Sequence, residues 1–360
     1  MRALVLDGVG TAPNLQPIEL LAPRAGEVRV AIRAAGVCHS DISVTDGVLP
    51  QPTPCVLGHE AAGEVVEVGD AVTAWNVGDR VIVQWVPMCR RCEACLRGEP
   101  YLCTAYLRAA CRMDDGTTRF VRDGLELHHA MNAGAFADEI IVRDTGLAAL
   151  PDDVPFEVGA IIGCGFLTGW GAATNVARVE PGEHVAIVGA GGVGVSAAMG
   201  ARAAGAETVL IIDPVAERRD AAIEIGAATH GCAPDAAERT SKDLMGARPD
   251  VVIEAVGRGV VQRAAFDLVR NGGRVVFAGA NPADTIELPG YGFFLQAKQV
   301  LGCWFGGCDP IRDVPRVAEA RRAGTLPIDR LITATRPLTE HAAAFDDLVA
   351  GRGLRTVLVP

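Results

Sequence analysis

Across its 360 residues the sequence has no cluster of Lys and Arg, and its net charge is −11. Phosphate backbones are held by clustered cations, so this composition argues against a nucleic-acid partner. Neither end carries an acidic or basic tail. The opening residues, MRALVLDGVG, lack the charged region, long apolar core and small-residue cleavage site of a signal peptide. No stretch holds the eighteen uninterrupted apolar residues of a spanning helix. The expectation is a cytoplasmic protein without a membrane partner.

What is present is a large apolar share, 49%, in a chain longer than a single core supports, so two domains are expected. Eleven cysteines would suggest disulfides in a small secreted domain. In a long cytosolic chain they point to metal or redox chemistry, and their spacing decides between the two.

The chain is organised around the stretch from Cys164 to Asp213. An apolar run, Val185–Val188, ends at Gly189, and Gly189, Gly191 and Gly194 follow in G-x-G-x-x-G spacing before a helix of small residues. The first glycine makes a tight turn, the second lets the backbone approach a pyrophosphate, and the third lets helix and strand pack closely. The helix N-terminus, at Gly192 and Val193, offers free N–H groups to phosphate. A second apolar run, Val209–Ile212, ends in Asp213, about twenty residues on, where a carboxylate would bond ribose hydroxyls and repel a 2′-phosphate. The pattern reads as a dinucleotide site that favours NAD over NADP. Further alternation, with strands at Val251–Ala255 and Arg274–Gly279, predicts a parallel sheet of about six strands covered by helices on both faces.

Residues 1–35 alternate apolar and polar in short bursts broken by prolines, the grammar of short antiparallel strands. GVCHSD, Gly36–Asp41, and LGHEAAGEVVEVG, Leu57–Gly69, then supply Cys38 and His59 as ligand candidates. Cys89, Cys92, Cys95 and Cys103 follow as C-x2-C-x2-C-x7-C. Four thiolates on so short a loop suit closed, tetrahedral, structural zinc, which would fold an excursion that has almost no apolar core.

With these motifs in order, the sequence resembles the zinc-dependent alcohol dehydrogenases of the medium-chain dehydrogenase/reductase superfamily over essentially its whole length. The matching pieces are GVCHSD, GHEAAGEV, the four-cysteine loop, DDGTTRF, HHAM, GAFADE, CGFLTGWGAA, GAGGVG and LRTVLV. The length between Cys103 and Cys164 resembles the long-loop members, animal-type alcohol dehydrogenases and formaldehyde dehydrogenases, which are usually homodimers. The fold implied is α/β: a Rossmann doubly wound parallel sheet plus a discontinuous, mainly β, GroES-like catalytic domain. Its expected divisions are 1–165 for the first part of the catalytic domain, 166–304 for the NAD-binding domain, and 305–360 for the return.

The resemblance implies two Zn2+ per subunit and NAD. Cys38, His59 and Cys164 match the catalytic zinc ligands, and Glu60 matches a carboxylate that can approach the metal. Asp41 matches the acid that orients the histidine. Ser40 matches the hydroxyl that relays the alcohol's proton; Ser43 stands where many relatives carry the relay's terminal histidine, so the final base stays open. His39 and Arg355 match pyrophosphate-binding cations, Thr168 and Val193 match nicotinamide contacts, and Arg218 matches a cation at the adenosine ribose.

Leu49, Trp85, Ala280 and Trp304 match the substrate pocket, together with Ser40. A bulky indole at Trp85 would restrict branching at the reacting carbon, which favours primary alcohols. The function implied is oxidation of a primary alcohol to an aldehyde, and the reverse, by hydride transfer to NAD. The alternatives are a thiol-dependent formaldehyde dehydrogenase, with Arg108 and Arg112 as candidate anion contacts, and a nicotinoprotein with permanently bound NAD(H). A non-enzymatic or zinc-free NADPH-binding relative is disfavoured by the retained cysteines and by Asp213.

Overall fold

The computed structural model describes residues 1–105 and 111–360. The chain divides into two compact units, the first made of Met1–Cys164, Asp309–Ala318 and Ile332–Pro360, the second of Gly165–Cys308 and Glu319–Leu331. The return to the first unit therefore comes in two pieces, with Glu319–Leu331 grouped in the second.

The first unit is built on two sheets. In one, of seven strands, the long strand Glu27–Gly36 pairs antiparallel with Glu60–Val68, Glu139–Arg143 and Arg355–Val359. Alternation in EVRVAIRA places Val28, Val30 and Ile32 in the core. The Gly36 end of this strand lies opposite Glu60 and Val357. Thus the segments before Cys38, after His59 and around Arg355 converge at one edge. The other sheet, of six strands, includes Arg2–Leu6, Phe120–Arg122 and Leu125–His129.

The second unit holds a six-stranded, wholly parallel sheet, in the spatial order His230–Cys232, Thr208–Ile212, His184–Val188, Val251–Glu254, Arg274–Phe277, Gln299–Gly302. Its strands are near-continuous apolar runs because helices cover both faces; all five residues of Thr208–Ile212 are buried. The chain's winding direction reverses between His184–Val188 and Val251–Glu254, the crevice where doubly wound sheets bind ligands.

One helix, Phe156–Val176, is long and apolar enough to cross a membrane, but 83% of its most apolar window is buried inside the protein. It therefore reads as a core helix.

Candidate active site

Cys38 stands in extended conformation at the N-terminus of the helix His39–Thr45. Three residues on, Asp41 Oδ2 accepts the Cys38 backbone N–H at 3.3 Å, while its Oδ1 lies 3.1 Å from His59 Nδ1. Both side chains are buried. Cys164 falls in a π-helical stretch, Ile162–Phe166, the kind of helix irregularity that recurs at functional sites. The ligand atoms of Cys38, His59, Glu60 and Cys164 all lie within 4.8 Å of one another.

This donor set fits zinc. Two thiols, an imidazole and a carboxylate are the ligand types Zn2+ takes. With Nδ1 on the Asp41 carboxylate, the neutral ring presents its lone pair at Nε2, and that buried atom has no hydrogen-bond partner among the described residues. The hydrogen bond from Cys164 holds the Cys38 thiol well below its ordinary range despite burial, and the same bond, with burial, pushes Cys164 well above it. Burial opposes a proton on His59, but the charge and hydrogen bond of Asp41, with the nearby Cys38 sulfur, outweigh it and raise its pKa. Metal binding at such a site displaces protons.

Glu60 is fully buried, and burial, against the opposing charge of Arg355, pushes its carboxyl up to about 7. The Arg355 guanidinium, itself buried, donates to the Glu60 carboxylate. Arg355 was expected at pyrophosphate; the bond it makes here is to Glu60, a partner 295 residues away that no sequence motif announced.

Around the cluster, Ser40 is half-buried with Oγ 3.7 Å from Cys38 Sγ, and Trp85 is buried edge-on to the His59 ring, with centroids 6.2 Å apart. Ser43 and Leu49 are half-buried and joined by a 2.9 Å backbone hydrogen bond, and His39 is exposed. Thr168, Ala280 and Trp304 belong to the second unit, where Thr168 is half-buried and the other two are exposed.

The ligand atoms of Cys89, Cys92, Cys95 and Cys103 form a second cluster of the same compactness, within 4.8 Å. The Cys89 N–H donates to Cys103 Sγ at 3.3 Å. Backbone N–H groups of Cys95 and Thr104 lower the Cys92 thiol to about 6, which favours the thiolate a metal needs. Arg90 ties this loop to Asp309 through two bonds of 2.6 and 2.8 Å.

A cavity of about 880 Å³ lies beside this loop and is lined by Arg91, Arg112 and Arg143 among others. Two of these are committed elsewhere, Arg112 to Glu126 at 2.7 Å and Arg143 to Asp114 at 2.5 Å. Arg108 lies outside the described residues.

In the second unit Gly189 turns at φ +102°, and a Cβ on Gly194 would sit 1.8 Å from the Gly189 carbonyl, so close packing requires glycine there. At Gly191 a Cβ would meet nothing within 4 Å: the space in front of this backbone is open, as an approaching pyrophosphate requires. Gly192 opens the helix Gly192–Ala203, with Val193 half-buried in its first turn. Asp213 is buried, accepting N–H bonds from Ala190 (2.7 Å) and Val215 (2.9 Å). Its carboxylate, at the end of the second strand, thus holds the glycine turn through Ala190. Arg218 is half-buried on the helix Ala216–Glu224, and its neighbour Arg219, which sequence reasoning passed over, donates to the Asp213 carbonyl at 2.6 Å. A cavity of about 620 Å³ opens at these strand ends, lined by Gly189, Ile212, Pro214, Val256 and Arg258 among others.

Two family models match the chain, "Alcohol dehydrogenase GroES-like domain" over residues 24–152 and "Zinc-binding dehydrogenase" over residues 192–321. An NDMA-dependent alcohol dehydrogenase of Amycolatopsis methanolica is 35% identical over 99% of this chain and 98% of its own length. An alcohol dehydrogenase class-3 of Myxine glutinosa is 34% identical over 96% of this chain and 94% of its own length. The crystal structure of benzyl alcohol dehydrogenase from Acinetobacter calcoaceticus superposes with a TM-score of 0.93 at 27% identity, covering 99% of this chain and 98% of that one. The chain belongs to the zinc-dependent alcohol dehydrogenases of the medium-chain dehydrogenase/reductase superfamily, and it is an enzyme that oxidises alcohols.

Proposed function

We propose that the substrate is a primary alcohol, that the hydride acceptor is NAD, and that each subunit holds two zinc ions. The observation that carries this reading is the buried cluster of Cys38, His59, Glu60 and Cys164, with His59 Nε2 left for a metal by the Asp41 bond. The cysteine quartet 89, 92, 95 and 103 supports the second zinc, and the open face of Gly191 with Asp213 behind it supports NAD.

When bound, zinc supplies a Lewis acid that lowers an alcohol's pKa, and NAD supplies the hydride acceptor. The chain does the rest. Cys38, His59 and Cys164 hold the metal, Asp41 keeps the His59 ring in the required tautomer, and Glu60 stands by as an exchangeable carboxylate. Ser40 takes the alcohol's proton and passes it on; serine has no useful basicity, so it acts as a relay. In the second unit Thr168 and Val193 would contact the nicotinamide and Arg218 the adenosine ribose; in the first, His39 and Arg355 would supply cations to phosphate. Trp85, buried edge-on to His59, restricts branching at the reacting carbon, and Leu49 lines the same pocket.

The partner is a second copy of this chain. Supporting this, Gln299–Gly302 is one of the two edge strands of the parallel sheet, and the adjacent helix Gly290–Gln296 leaves Tyr291, Phe294 and Leu295 between 62% and 77% exposed. A monomer at micromolar concentration by sedimentation would refute it. The place of action proposed is the cytoplasm, without nucleic-acid or membrane contact.

The test is formation of reduced nicotinamide from added NAD with a panel of primary, secondary and aromatic alcohols. Turnover on primary alcohols in preference to their secondary isomers supports the reading, and equal rates remove the role given to Trp85. A second reading is favoured by the relative that depends on NDMA: a nicotinoprotein, whose bound NAD(H) passes hydride to another acceptor. Bleaching of NDMA by alcohol without any turnover of added NAD would select it.

A further inference from the structure

Glu254 is a buried acid that the reading above leaves without a task. It closes the strand Val251–Glu254, with Val188 opposite on one side and Phe277 on the other. Its Oε1 accepts backbone N–H bonds from Val256 at 2.7 Å and Gly257 at 2.8 Å. Its own carbonyl accepts two more, from Ala278 at 2.8 Å and Gly279 at 3.0 Å. One residue thereby pins the turns that leave two neighbouring strands.

Both turns bear on the reversal point of the sheet. Val256 lines the cavity beside Gly189, and its Cγ2 lies 2.9 Å from where a Cβ on Gly189 would stand. Gly257, at φ +88°, packs so closely that a Cβ would come within 2.6 Å of the Ala280 nitrogen. A shift of the first turn must therefore displace the second.

The second carboxylate oxygen, Oε2, is buried with no hydrogen-bond partner among the described residues. A buried ionised oxygen left in this way is costly and favours the neutral acid, while the Val256 and Gly257 N–H groups and the Gln262 side chain act in the other direction. Burial outweighs them and raises the carboxyl's pKa.

We propose that Glu254 is a positioning residue for the dinucleotide: it sets the Val256–Gly257 and Ala278–Ala280 turns against the glycine-rich turn, and it acts through its shape rather than its charge. The inference rests on the dinucleotide reading given above.

The experiment compares Glu254→Ala, Glu254→Gln and Glu254→Asp in the full, zinc-loaded chain, measuring NAD affinity by calorimetry alongside zinc content, thermal midpoint and the separate kcat and KM values. Glu254→Ala is expected to weaken NAD binding about tenfold, as two backbone donors lose their acceptor. Zinc content and the KM for alcohol should hold. Glu254→Gln should recover most of the affinity, since an amide oxygen reaches the same two N–H groups. Glu254→Asp keeps the acid but falls a methylene short, so it should group with Glu254→Ala. The opposite order, aspartate tighter than glutamine, overturns the proposal in favour of charge. Unchanged affinity in Glu254→Ala, with the unmutated chain still binding NAD, overturns it outright. An unmutated chain that neither binds added NAD nor releases NAD(H) on denaturation removes the dinucleotide reading and this inference together. If Glu254→Ala does not fold, the ranking of the other two variants decides.

Discussion

Asp41 Oδ1 lies 3.1 Å from His59 Nδ1, both side chains are buried, and that single contact leaves Nε2 as the imidazole's free lone pair at the cysteine cluster. Removing the acceptor frees the ring to rotate and to change tautomer. Asp41→Ala is expected to cost about 10- to 100-fold in metal affinity or turnover, as loss of such outer partners generally does. Zinc titration against a chelator, read beside kcat/KM, checks this; full affinity with full activity would show that the bond does not orient the ligand.

The two cysteine clusters should fail differently. Cys38→Ser is expected to abolish alcohol turnover in a folded chain that still binds NAD. Cys92→Ser should lose metal from the other cluster and lower thermal stability first, because its loop buries little apolar surface and exposes Leu96 to 76%. Metal counts per chain and melting curves separate the two outcomes. Turnover surviving Cys38→Ser would refute the ligand assignment.

Two glycines of one motif should also separate. A Cβ at Gly194 would overlap the Gly189 carbonyl at 1.8 Å, so Gly194→Ala should destabilise the second unit. Gly191→Ala meets no atom within 4 Å, at a backbone conformation any residue adopts, φ −81° and ψ −177°. It should melt like the parent yet bind dinucleotide poorly, because the added methyl fills space the pyrophosphate needs. Unimpaired NAD binding in Gly191→Ala would move the phosphate site elsewhere.

Acid sensitivity should arise away from the active site, at His129. Its ring is fully buried, lies 4.4 Å from Phe120 centroid to centroid, and accepts the Arg119 N–H at Nε2, 3.1 Å away. Burial pulls its pKa down from 6.5 to about 3. Between those values the unfolded chain binds a proton that the folded chain refuses, so stability is full above pH 6.5 and declines as pH falls. The limiting slope is about 1.4 kcal/mol per pH unit. His129→Gln keeps an acceptor and removes the titration, so its melting temperature should fall less between pH 6.5 and pH 4, though it starts lower for lost ring packing.

Buried Arg119 donates to both oxygens of Glu27, at 2.7 and 2.5 Å, and to Asp115 at 2.8 Å. Arg119→Met would strand the buried Glu27 carboxylate, at a cost of about 3–5 kcal/mol. Arg119→Met with Glu27→Gln should recover much of that loss in denaturant unfolding. An equally unstable double variant would mean that packing, not the ion pair, is what the arginine contributes.

Local patterns were readable from the residues alone. The glycine spacing, the quartet Cys89, Cys92, Cys95 and Cys103, and the strand alternation each act over a few residues, and in such short loops the backbone leaves few ways to arrange the groups. The parallel strands around Val188 and Ile212 were readable for the same reason, since covering both faces demands unbroken apolar runs. Asp213 was readable as an acid at a strand end, but not as the acceptor that fixes Ala190.

Tertiary structure alone brought Cys38, His59, Cys164 and Arg355 to one point, through strands paired at the Gly36 end of Glu27–Gly36. It alone turned Arg355 onto Glu60, chose Arg219 as the residue bonded to the Asp213 carbonyl, and closed His129 off from water. Contacts between residues so far apart carry no periodicity of their own. They are set by strand register and by the burial that many side chains achieve together, and neither quantity exists until the chain has folded.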